Sequence, residues 1–124
     1  MTDDRSLREE IRLPLDDARA MIRNHTGLYP HEDLTADVLG ICDEVVAWVG
    51  VSPRLEEARA LVEERCARLV QAADRFAERN LAMIAMARAQ AIAAVDMLQD
   101  AALERRRMVI PTQTLGSLLR RRSL

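Results

Sequence analysis

The residues best equipped for chemistry stand close together: His25 and His31, with Glu32, Asp33 and Asp37 nearby. Imidazoles beside carboxylates form a ligand set suited to zinc and other divalent ions. Nothing in the spacing fixes a coordination geometry, however. Asp33 precedes an apolar run and reads as a helix cap, and its neighbours read as a solvated loop, so no metal and no cofactor is expected. The paired Glu-x-x-His motifs that di-iron bundles place on facing helices are absent. So are a glycine-rich nucleotide loop with its lysine and a serine or cysteine elbow. Cys42 and Cys66 lack the paired spacing of a zinc knuckle or a CxxC redox site, and both sit beside apolar neighbours, so they read as buried thiols. No catalytic residue is nominated, and a non-enzymatic role is expected.

The elements available to position any site are helical. Arg54 to Ile110 is a run of 57 residues with no glycine or proline, dense in Ala, Leu, Glu, Gln, Arg and Met. As one rod it would reach roughly 85 Å, far beyond what a domain of 124 residues can bury. It must fold back on itself or pair with another molecule. Aromatics are limited to Tyr29, Trp48 and Phe76, so the core must come from Ala, Leu, Val, Ile and Met. That suits close helix packing and excludes a β-sandwich or barrel. The fold class expected is all-α: an antiparallel bundle or hairpin built on one long helix at about 53–109, in an oligomer.

Local signals divide the chain further. Ser6 and Glu9 form a capping box ahead of Leu7, Ile11, Leu15, Ala18 and Ile22, predicting a helix over 7–24 that Pro14 kinks or splits. Asp33 caps a second helix, 33–49, whose buried stripe is Leu34, Val38, Ile41, Val45 and Trp48, with Gly50 closing it. Ser52 as N-cap and Pro53 at the first helical position open the long run. Its stripe is Leu55, Ala58, Val62, Cys66, Leu69, Ala73, Phe76, Asn80, Met83, Ala87, Ala91, Ala94, Leu98 and Ala101. A second apolar face, Ile84, Met86, Ile92 and Val95, makes its latter half a central helix, with Met83, Met86 and Met97 expected in the core or, if exposed, adapting to a partner. The polar cluster Glu78, Arg79, Asn80 is the weakest place, so any bend belongs near 78–80. A bend predicts a four-helix bundle and its absence an extended coiled coil. Pro111 is expected to end the helix, leaving 1–109 as a helical domain and 110–124 as a basic tail.

Charge is segregated along the chain. Residues 1–47 carry 11 acids against 5 arginines, and residues 101–124 carry 1 acid against 6 arginines. Such a tail suits an acidic partner. Within it Thr114 can cap a short helix on which Leu115, Leu118 and Leu119 form an apolar ridge beside Arg120, Arg121 and Arg122. With Arg105, Arg106 and Arg107 these are the candidate partner-binding residues, matched to a protein groove that is apolar or acidic; the alternative is that the ridge docks back on the chain's own bundle. The overall negative charge and the lack of stacking aromatics count against nucleic acid. Leu81 to Leu98, the most apolar window, is interrupted by Arg88 and Asp96, so no membrane span is expected. The opening residues do not read as a secretory signal, which favours the cytoplasm.

Two segments resemble known families. Asn80 followed by Leu81, Met83 and Ile84 on a long helix, and then a basic amphipathic end, is similar to the flagellar and type III export chaperones. That resemblance covers the second half only, and implies a non-catalytic, chaperone-like adaptor that captures its client with the C-terminal segment. The earlier half, with Gly40 and the His25 to Glu32 loop, departs from that family's long first helix. Leu115, Gly116, Ser117 and Leu118, followed by Arg120 to Arg122, resemble the C-terminal peptides that load cargo into encapsulin shells, although Gln113 stands at an aliphatic position and Leu119 intervenes. The alternative implied is a cargo or accessory protein of such a shell. A helical phage-packaging or nucleic-acid-associated subunit also suits the outline.

Overall fold

The computed structural model describes the backbone of residues 4–28, 33–74 and 80–123, and side chains among these from Arg5 to Met108. It contains four helices and, among the described residues, no strand: α1 Asp4–Asn24, α2 Leu34–Val49, α3 Pro53–Ala72 and α4 Leu81–Ser123. Arg19 of α1 meets Asp96 of α4, Asp43 of α2 meets Arg59 of α3, and Arg54 at the start of α3 meets Glu104 of α4. These pairings run the helices up, down, up and down. The expected all-α bundle is therefore present.

Local chemistry sets most of the ends. Asp33 Oδ1 accepts from the Ala36 amide at 3.1 Å, and Ser52 Oγ accepts from the Leu55 amide at 3.2 Å, with Pro53 at the first turn of α3. Each cap satisfies an amide that the first helical turn leaves without a carbonyl partner. Gly50 ends α2 with φ +96 while its amide donates to Val46 O at 2.8 Å. The long run divides in two. α3 ends at Ala72, and α4 restarts at Leu81 with Asn80 Oδ1 accepting from the amides of Ala82 and Met83. Residues 75–79, including Phe76 and part of the expected bend, lie outside the described residues.

Neither proline splits or ends its helix. α1 passes through Pro14 as one helix, and starts at Asp4, so Ser6 sits inside it and does not cap it. α4 likewise continues through Pro111 to Ser123. Proline's fixed φ is already helical and it removes a single backbone hydrogen bond, so good neighbours on both sides can carry a helix across it at a cost of about 3 kcal/mol.

The core is aliphatic and draws on all four helices. Ile11, Leu15, Ile22, Val38, Val49, Leu55, Val62, Leu69, Val95 and Leu98 are buried, and Ala87, Ala91, Ala94, Ala101 and Ala102 of α4 let its backbone approach its neighbours. The stripe of α3 matches expectation from Leu55 to Ala73. That of α2 matches at Leu34, Val38 and Val45, with Ile41 partly buried against the core; Leu39, Cys42 and Val49 are buried as well, and Trp48 is not. Trp48 is 43% exposed, with the Arg106 guanidinium 4.8 Å over its ring. Cys42 and Cys66 are free, buried thiols. Burial pushes Cys66 up to about 11, and burial together with the neighbouring Cys66 pushes Cys42 up to about 12.

Candidate interaction surfaces

The loop that held the candidate metal ligands is built for packing. His25 is buried, and its carbonyl accepts from Arg88 Nη2 at 3.0 Å. Gly27 has φ +75 and presses on the end of α3, where a Cβ would lie 2.0 Å from the Ala73 carbonyl oxygen. Asp33 is engaged as a cap. His31 and Glu32 lie outside the described residues, and among those described no group of three His, Cys, Asp or Glu side chains gathers.

The candidate partner-binding residues fall into two groups. Arg105 and Arg106 turn back onto the end of α2: the Arg105 guanidinium lies against Gly50, and Arg106 covers Trp48. Their Nε atoms are buried and have no hydrogen-bond partner among the described residues. Arg107 is exposed. Leu115, Leu118, Leu119 and Arg120 to Arg122 lie on the backbone of α4, and their side chains are outside the described residues.

The central helix carries a surface that periodicity alone misassigned. Met83, Met86 and Met97 were expected in the core, yet they are 61%, 62% and 55% exposed, and Leu81 beside them is also exposed. α4 buries its alanines instead, since small side chains allow the close approach that long methionines would prevent. Between Leu81 and Leu98 the only charged residues are Arg88, which bonds the His25 carbonyl just past α1, and Asp96, which meets Arg19 of α1. Asp96 accepts from Arg19 at 2.8 Å, and that mostly buried guanidinium also holds Asp16 at 2.9 Å and the Gln99 side chain. From Leu81 to Leu98 the outward face of α4 otherwise carries no charge, with Ala85, Ala89, Gln90 and Ala93 between the methionines.

Two grooves line the seam between α3 and α4. One, of about 440 Å³, is bounded by Arg68, Gln71, Asn80, Met83, Met86 and Gln90; the other, of about 390 Å³, by Arg54, Glu57, Leu61, Met97 and Asp100. Neither gathers a nucleophile with a base. Both are mainly apolar; among the described residues the charged lining is Arg68 in the first and Arg54, Glu57 and Asp100 in the second. Leu81–Met108 is also long and apolar enough, by length and composition, to cross a membrane, a test that the core helix of a soluble protein passes too.

The signal for this surface was present in the spacing. Met83, Met86, Gln90, Ala93 and Met97 step by threes and fours, one register away from the buried series Ala87, Ala91, Ala94 and Leu98. Two interleaved stripes on an alanine-rich helix cannot be ranked by hydrophobicity alone. No family model matches the chain, and no curated protein or solved structure matches it.

Proposed function

We propose that this chain is a non-catalytic helical adaptor of the export-chaperone type, which binds a protein partner through the C-terminal segment of α4. The observation that carries this reading is a mismatch of lengths. α4 has 43 residues, whereas α1, α2 and α3 have 21, 16 and 20. α1 and α4 run antiparallel, with Arg19 level with Asp96 and His25 level with Arg88. Extending that register brings Asp4, where α1 begins, level with roughly residue 110 of α4. α3 begins beside Glu104. Among the described residues, the last turns of α4, about 20 Å of helix beyond Pro111, therefore have no helix of the bundle alongside them.

Those turns hold the features expected of a binding peptide. Leu115, Leu118 and Leu119 fall at i, i+3 and i+4 of one helical face, and Arg120 to Arg122 follow. A helix this short gains little stability from propensity, particularly with Pro111 and Gly116 in it, so burial of the ridge in a groove is the contribution a partner makes. The arginines steer the encounter towards an acidic surface.

A photo-reactive residue at Leu118 of the full chain, irradiated in cells, tests the proposal. The expected product is an adduct with a distinct acidic protein, lost when Arg120, Arg121 and Arg122 are all changed to glutamate. Adducts confined to the chain's own bundle would refute it.

A further inference from the structure

We propose that the exposed face of α4 is a homodimer interface, on which a second copy packs antiparallel about a two-fold axis between Gln90 and Ala93. This surface is separate from the C-terminal segment, so the inference stands whether or not that segment binds a partner.

Spacing is the first argument. Met83, Met86, Gln90, Ala93, Met97 and Asp100 are all exposed and follow one another at steps of three, four, three, four and three. That is the seam of a coiled coil, laid on the outside of a helix whose core contacts are made by other residues. The series also reads the same in both directions, which a two-fold contact requires, because each patch must meet itself reversed. Reversal sets Met86 against Met97 of the second copy, Gln90 against Ala93, and Met83 against Asp100.

Charge is the second argument. Among the described residues, Arg68 is the only charged one lining the groove beside Met83 and Met86, whereas the groove beside Met97 carries Glu57 and Asp100 against Arg54. Each groove's arginine also has a partner within the chain, Arg54 with Glu104 and Arg68 with Glu64, so the contrast lies in the added Glu57 and Asp100. Antiparallel packing brings the basic end of each copy onto the acidic end of the other. Arg68 holds Glu64 of its own helix at 2.7 Å and keeps further N–H groups to donate to Asp100. A parallel pair would set like ends together. Ala89 and Ala93 permit close approach of the two backbones, and Gln90 is a polar position able to fix the register. A lipid surface would use the methionines, and its phosphates would meet Arg68, but it would call for neither the palindromic spacing nor the reversal of charge along the face.

The test uses the full chain. Light scattering after gel filtration is expected to give twice the chain mass of 14.0 kDa. Met86→Arg is expected to return it to a single chain mass with unchanged helical circular dichroism, since Met86 is exposed on the isolated bundle. Gln90→Arg serves the same purpose if Met86→Arg loses helicity. Orientation is read with a short bismaleimide, to which the buried native thiols are inert. Met86→Cys mixed with Met97→Cys should link as a heterodimer, and Met86→Cys alone should not, because the two copies of residue 86 lie about 16 Å apart along an antiparallel pair. A single chain mass at every concentration, ready self-linking of Met86→Cys, or co-sedimentation of a monomer with phosphatidylcholine vesicles would each overturn the proposal.

Discussion

The same substitution at two glycines is expected to move stability in opposite directions. Gly40 lies in the middle of α2, and a Cβ built there meets no heavy atom within 4 Å. Gly40→Ala therefore removes the flexibility penalty of an interior helical glycine, worth about 1 kcal/mol, with nothing to offset the gain. Gly27 is the reverse. Its φ of +75 costs an alanine about 1 kcal/mol. Its Cβ would also stand 2.0 Å from the Ala73 carbonyl oxygen and 2.8 Å from the Ala73 carbonyl carbon, both backbone atoms that cannot swing aside. The α1 to α2 loop would have to lift from the end of α3, bringing the loss to at least about 3 kcal/mol. For 124 residues, an unfolding entropy near 2.1 cal/mol/K per residue makes 1 kcal/mol worth about 4 °C. Thermal melts followed by far-UV circular dichroism should rise by about 4 °C for Gly40→Ala and fall by more than about 10 °C for Gly27→Ala. Destabilisation by Gly40→Ala, or a neutral Gly27→Ala, would refute the packing described for these two places.

Other expectations concern polar groups that tie the bundle together. Arg19→Ala removes the donor to Asp16, Asp96 and Gln99 from a site where the arginine is 9% exposed, and should lower urea-unfolding stability by about 2 kcal/mol. Arg19→Met, which keeps the apolar stem, should recover part of it. Asn80→Ala strips the cap from α4 and should cost about 1 kcal/mol, with little change for Asn80→Asp. Cys42 and Cys66 should be silent to a thiol reagent near neutral pH and should both react on unfolding. Their folded pKa values are raised from 9.0 to about 12 and about 11, so the unfolded chain loses these protons first. This contribution to stability is fully present below pH 9.0 and is lost as pH rises towards those folded values. Unfolding titrations in alkali should show the decline, and Cys42→Ala should reduce its steepness.

The sequence made some elements legible and others ambiguous for identifiable reasons. Asp33, Gly50, Ser52 and Pro53 work as read, because capping is a local interaction that a few residues determine. The α3 stripe from Leu55 to Ala73 was clear because α3 has one strongly apolar face. Pro14 and Pro111 were weighed as local breakers, whereas α1 and α4 absorb them. Trp48 and Met83, Met86 and Met97 of α4 are exposed against expectation, because hydrophobicity ranks side chains by transfer energy. The bundle selects them by size: alanine fits where backbones come close, and methionine does not. Arg88 and Asp96, which read as interruptions of an apolar window, became its links to α1 only once that helix was in place.

Removing residues 111–124 tests the central claim most directly, because it separates the bundle from the segment assigned to binding. The shortened chain should keep the full chain's melting temperature to within a few degrees, and its helical signal should fall only by the residues removed, while photo-reactive full chain still captures a partner that the shortened chain cannot compete away. A large drop in melting temperature, or undiminished competition by the shortened chain, would show that the C-terminal segment belongs to the core and that binding resides elsewhere.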